Sequence, residues 1–98
     1  MLVHFVLFWL KKGTSDKERA EFRKGLESLK AVESAEALYV GAPIPSDRPV
    51  VDTSYDFALT VIFKDKAALD TYQVHPIHKA FVEKNRPRWE RNLVYAAQ

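Results

Sequence analysis

Cysteine is absent from the 98 residues, which excludes both a disulfide framework and any thiolate-held metal cluster. Glycine occurs three times, at Gly13, Gly25 and Gly41, too scattered for a phosphate-cradling loop. No serine sits in a nucleophile-elbow sequence. A chain this short buries only part of its unfolded surface, and without covalent staples the extra burial is expected from association with a second copy.

Charge of one sign is lacking as well. Fifteen Lys and Arg stand against 13 Asp and Glu, a net charge of +2 spread along the chain. That is no electrostatic footprint for nucleic acid, and the basic residues are not interleaved with aromatics as a single-strand binder requires. The apolar opening Leu2–Leu10 has nine residues and is interrupted by His4. It is too short to span a bilayer and lacks the basic leader and small-residue cleavage site of a secretion signal. No membrane partner is expected, and the expected location is the cytoplasm.

What is present is a globular composition, 47% apolar and 29% charged, set out as one domain over residues 1–98. Leu2–Leu10 reads as a strand. Ser15 and Glu18 form a capping box, behind which Phe22, Leu26 and Leu29 fall on one helix face. Ala35–Ala42 is a second strand, and Pro43–Ser54 a proline-rich loop of the kind that forms lids, binding loops or dimer arms. Tyr55–Phe63 is a third strand. Asp65 caps a helix that ends at His75, since a residue preceding proline avoids the helical region. Pro76 suits the first turn of the next helix, and Trp89–Ala96 closes the chain as a strand. The order β-α-β-β-α-β predicts an α+β, ferredoxin-like domain with a four-stranded antiparallel sheet.

The first strand is apolar on both faces. Leu2, His4, Val6, Phe8 and Leu10 point one way; Val3, Phe5, Leu7 and Trp9 point the other. Two helices cover only one face of such a sheet, and the remainder would stand as an exposed apolar patch. A homodimer packed through Val3, Phe5, Leu7 and Trp9 is the simplest cover; the alternative is a monomer whose long loop folds over the sheet.

Histidine titrates near neutrality and exchanges protons there. His75 and His78 flank the bend at Pro76, Tyr72 lies one turn earlier, and His4 shares a face with Val6 and Phe8. If that face meets the helices, His4, Tyr72 and His78 converge on one cavity. An imidazole base and a phenol donor there suit proton abstraction next to a carbonyl. The bland counterpart is that His75 only caps a helix and His4 is a satisfied core histidine. A metal triad of His75, His78 and Asp56 is the third option, but histidines three apart do not aim both rings at one ion, and no metal or other cofactor is expected.

The run Tyr55-Asp56-Phe57-Ala58-Leu59-Thr60-Val61-Ile62-Phe63, followed by Ala68-Leu69, Tyr72-Gln73-Val74-His75-Pro76-Ile77-His78 and Phe81-Val82, resembles the signature of stress-responsive αβ-barrel (Dabb) domains. The opening His4–Phe8 and the late Trp89 fit the same pattern, so the resemblance covers essentially the whole chain. It implies a dimer whose two sheets pack into a barrel. A plant member of the family closes a polyketide chain by an intramolecular aldol reaction with histidine and tyrosine, a pattern matched here at Tyr72, His78 and His4. Where that cyclase has an aspartate on the final strand, this chain has Ala96.

The resemblance therefore implies a small-molecule cavity with His78, Tyr72 and His4 as catalytic residues. His75, Val6, Phe8, Phe22, Phe81 and Trp89 are its expected binding residues. The function expected is that of a cofactor-free acid–base enzyme of the cyclase or lyase type acting on a carbonyl-containing or apolar molecule. The alternatives are a non-catalytic, stress-related ligand-binding dimer and a cofactor-free monooxygenase or haem-degrading protein of the same architecture.

Overall fold

The computed structural model describes residues 1–98. Its strands are β1 (Leu2–Leu10), β2 (Ala35–Gly41), β3 (Phe57–Phe63) and β4 (Trp89–Ala97). The helices are α1 (Asp16–Ser28), α2 (Lys66–Val74) and α3 (Pro76–Asn85), with single 3-10 turns at Leu29–Ala31 and Arg86–Arg88. No helix is long and apolar enough to cross a membrane.

Local chemistry sets the boundaries. The Ser15 hydroxyl accepts the Glu18 N–H at 3.1 Å while the Glu18 carboxylate accepts the Ser15 N–H at 3.3 Å, so two free donors of the α1 terminus are satisfied reciprocally. Between α2 and α3 the chain breaks at His75, whose backbone is extended (φ −65°, ψ 140°) because Pro76 follows it. β3 starts two residues later than the sequence pattern suggests. Asp56 instead clamps three elements: it accepts the Leu10 N–H at 2.7 Å and pairs with Arg19 at 2.7 Å.

The strands form one antiparallel sheet in the order β2-β3-β1-β4. Along β1 the even residues are buried and the odd ones to Leu7 only half-buried, so the helices pack on the even face. There Phe8, Phe22, Phe57, Phe81 and Trp89 build an aromatic core, with Phe8–Trp89 and Phe8–Phe22 centroids at 5.1 and 5.2 Å. Such edge-on and tilted pairs are favourable beyond their burial. α1 and α3 approach closely at Gly25, where an added Cβ would lie 3.1 Å from the Asn85 amide nitrogen and 3.3 Å from the Phe81 ring.

The odd face is open. Val3, Phe5 and Leu7 stand beside Ile62, Thr60 and Ala58 of β3 and opposite Tyr95 and Leu93 of β4, and Tyr39 and Tyr95 are 64% and 59% exposed. Trp9 departs from the expected dimer face, being only 9% exposed within the chain itself. Its indole N–H donates to the Ser54 hydroxyl at 3.0 Å, and the Arg91 guanidinium lies 4.2 Å above its ring. The end of the long loop thus covers Trp9, and no residue of that loop lines the cavity described next.

Candidate functional site

The even face of β1, the inner edge of β4 and the face of α3 enclose a cavity of about 340 Å³. His4, Tyr72 and His78 stand at one end of it, and Val6, Phe8, Phe81 and Trp89 supply apolar wall. His4 enters because β1 turns its even residues inward, and Tyr72 because it is on the buried face of α2 with Leu69. The break at His75 redirects the chain, so that His78, in the first turn of α3, faces back towards Tyr72.

The three rings are adjacent. Tyr72 and His78 have centroids 4.7 Å apart, and His4 and Tyr72 6.1 Å. Phe63 backs the group at 5.1 Å from Tyr72 and 6.2 Å from His4. His4 is 6% exposed and Tyr72 fully buried, yet His4 Nδ1 and the Tyr72 hydroxyl have no hydrogen-bond partner in the protein. Leaving a buried polar atom unpaired costs about 1–3 kcal/mol, and native interiors rarely tolerate it without a reason.

Burial sets the protonation of this end. It lowers the His4 imidazole below its ordinary value, with repulsion from His78 adding to the effect. It lowers His78 too, the Gln73 backbone pulling the other way. It pushes the Tyr72 phenol above its usual range. At neutral pH the cavity therefore holds two uncharged imidazoles able to take a proton, and one phenol able to donate a hydrogen bond.

Two expected site residues lie elsewhere. His75 is the N-cap of α3: its Nδ1 accepts the Ile77 N–H at 3.1 Å, which occupies the ring in helix capping. Phe22 is fully buried among Phe8, Phe57, Phe81 and Trp89, behind the cavity wall. The considered metal triad does not assemble, since Asp56 is bound to Arg19 and the Leu10 N–H and no three His, Asp or Glu side chains come together. Sequence reasoning missed Arg86, Asn92 and Val94, which also line the cavity. The alternation along β4 carried a signal for the last two, because Asn92 and Val94 are opposite Phe8 and Val6.

A β-α-β-β-α-β chain with one antiparallel sheet, helices on a single face and a cavity between them defines the ferredoxin-like α+β class. Within that class the chain belongs to the stress responsive A/B barrel domain (Dabb) family, whose model matches residues 2–96. A Dabb-family protein with a ferredoxin-like fold from Mesorhizobium loti is 27% identical, with a TM-score of 0.81 over 99% of this chain and 94% of that one. A dimeric ferredoxin-like protein of unknown function from Thermobifida fusca is 21% identical, with a TM-score of 0.80 over 98% and 88%. The hydroxynitrile lyase of Passiflora edulis is 17% identical, with a TM-score of 0.82 over 98% and 90%. No curated protein sequence matches the chain.

Proposed function

We propose that this protein is a cofactor-free acid–base enzyme acting on a small carbonyl compound, with His78 as base, Tyr72 as hydrogen-bond donor and His4 in support. The observation that carries the reading is the pair of buried, unpartnered polar atoms, His4 Nδ1 and the Tyr72 hydroxyl, beside His78 at one end of the cavity. In the proposed step the proton next to the carbonyl passes to the His78 imidazole, and the electron pair of that C–H bond moves towards the carbonyl oxygen. The Tyr72 hydroxyl donates to the oxyanion so formed, stabilising charge where it develops. That a hydroxynitrile lyase has the same fold means the fold accommodates lyase chemistry.

The protein acts, on this reading, as a homodimer through Val3, Phe5 and Leu7 with the apolar residues beside them. Each well-buried apolar side chain contributes about 1.5–3 kcal/mol before the cost of association. The Thermobifida fusca neighbour is a dimeric protein, which supports self-association.

The test is hydrogen–deuterium exchange next to the carbonyl of acetophenone and phenylacetone, followed by NMR. Exchange faster than buffer, lost in His78→Ala with the fold retained, is the expected result; exchange unaffected by that change would sink the assignment. One observation favours a second reading, a binding protein without turnover: Ala96 lies opposite His4 on β4, and His78 has no carboxylate partner to orient it. That reading expects His78→Ala to change ligand retention in native mass spectra while neither form catalyses exchange.

A further inference from the structure

The cavity has a second polar end. Arg86 follows α3 directly in helical conformation (φ −50°, ψ −41°), so His78, Val82 and Arg86 rise along one side of one helix and all three line the cavity. Eight residues at the helical rise separate His78 from Arg86 by about 12 Å. The opposite wall gives an independent ruler. His4 and Phe8, paired across the sheet with Ala96 and Asn92, are four strand residues and about 13 Å apart. Both walls run in the same direction, since His78 is joined to His4 through Tyr72 while Phe8 meets Phe81 and Trp89. Between the two ends the sheet wall is Val6 opposite Val94.

The ends differ in charge. The histidines and tyrosine are neutral, whereas Arg86 bears a fixed positive charge, its guanidinium held 5.3 Å from the Trp89 ring and in no ion pair. No Asp or Glu lines the cavity, so nothing there competes for this cation. Asn92 lines the same end and carries an amide donor.

We infer that the cavity takes an elongated amphipathic acid, its carbonyl at Tyr72 and His78, its apolar body along Val6 and Val94, and its carboxylate at Arg86 and Asn92. Arg86 is then the residue that sets specificity. This rests on the proposed reaction site for the orientation of the ligand, but the anion-binding end is argued from Arg86 and Asn92 and not from the histidines. A guanidinium–carboxylate contact at a half-open site discriminates an acid from its neutral ester by about tenfold.

The experiment is titration of 9-oxodecanoate and its methyl ester into the intact protein, with affinities and the His4 and His78 ring resonances read by NMR. Wild type is expected to bind the acid about tenfold more tightly than the ester. Arg86→Met, which keeps the aliphatic stem, should bring that ratio to about one, and Arg86→Lys should keep most of it. His78→Ala should leave the ratio unchanged. Equal affinity for acid and ester, with both shifting the histidine resonances, would overturn the anion site while leaving the cavity reading intact. An acid preference that survives Arg86→Met would overturn the role of Arg86. Failure of both ligands to move the histidine resonances would overturn the cavity reading and this inference together.

Discussion

His75 and His78 are three positions apart and do unrelated work: the His75 ring accepts the Ile77 N–H at 3.1 Å, while the His78 ring lies 4.7 Å from Tyr72. Proline at 76 separates them, forcing His75 into extended backbone where a side chain caps a helix. The two histidines are therefore separable by mutation. His75→Ala is expected to destabilise the protein by about 1 kcal/mol, the usual worth of an N-cap, with activity and ligand retention unchanged. His75→Asn should recover most of the loss. Thermal melts of the three proteins check this, and a loss of ligand binding in His75→Ala would contradict it.

Tyr72→Phe removes a hydroxyl that is buried without a partner. Because such a group opposes folding by about 1–3 kcal/mol, the variant should melt at the same temperature as wild type or higher, while exchange activity falls. A clearly lower melting temperature would show that the hydroxyl is bonded within the protein and not reserved for a ligand.

Acid should weaken the fold through His4. Its folded-state value is depressed below the ordinary 6.5 by burial first and His78 second, so the unfolded chain binds the proton more readily. The stability this neutral ring supplies is complete above about pH 6.5, declines as pH falls below it, and is fully lost once pH passes the folded-state value. His78 titrates in the same sense, and Tyr72 stays protonated throughout. Denaturant midpoints from pH 7.5 to pH 5 should drop less in His4→Leu than in wild type; parallel curves would rule the ring out as the cause.

If the proposed homodimer forms through the open face, Leu7→Lys should leave a folded monomer. Leu7 is half-buried on the open face opposite Leu93, so its replacement disturbs little inside the protomer. In the proposed interface each protomer's lysine would be buried as a charge without a partner. Sedimentation at micromolar concentration distinguishes the outcomes, and a dimer that survives the change would move the interface elsewhere.

Much of the fold was legible because its signals are local. The Ser15–Glu18 box, the proline after His75 and the period-two faces of β1 each depend on neighbours in sequence, and the structure keeps all three. What escaped depends on distant pairing. The sequence pattern puts Phe22 at the cavity, but Phe57 and Trp89, from elements far along the chain, close around it. Alternation alone places Trp9 on the open face, whereas Ser54 and Arg91 cover it from across the sheet. Asn92 and Val94 acquire their place only when β4 is set in register against β1.

The strand order β2-β3-β1-β4 interlaces the two halves of the chain. β1 and β2 come from the first half and β3 and β4 from the second, so every hydrogen-bonded neighbour of a strand belongs to the other half. Neither half holds a sheet of its own. A chain cut within residues 43–54, which line no part of the cavity, is expected to behave as two fragments that are unfolded apart and rebuild the sheet only when mixed. Complementation of that kind would make assembly of the His4, Tyr72 and His78 cluster conditional on the meeting of the halves, a ready basis for a split reporter.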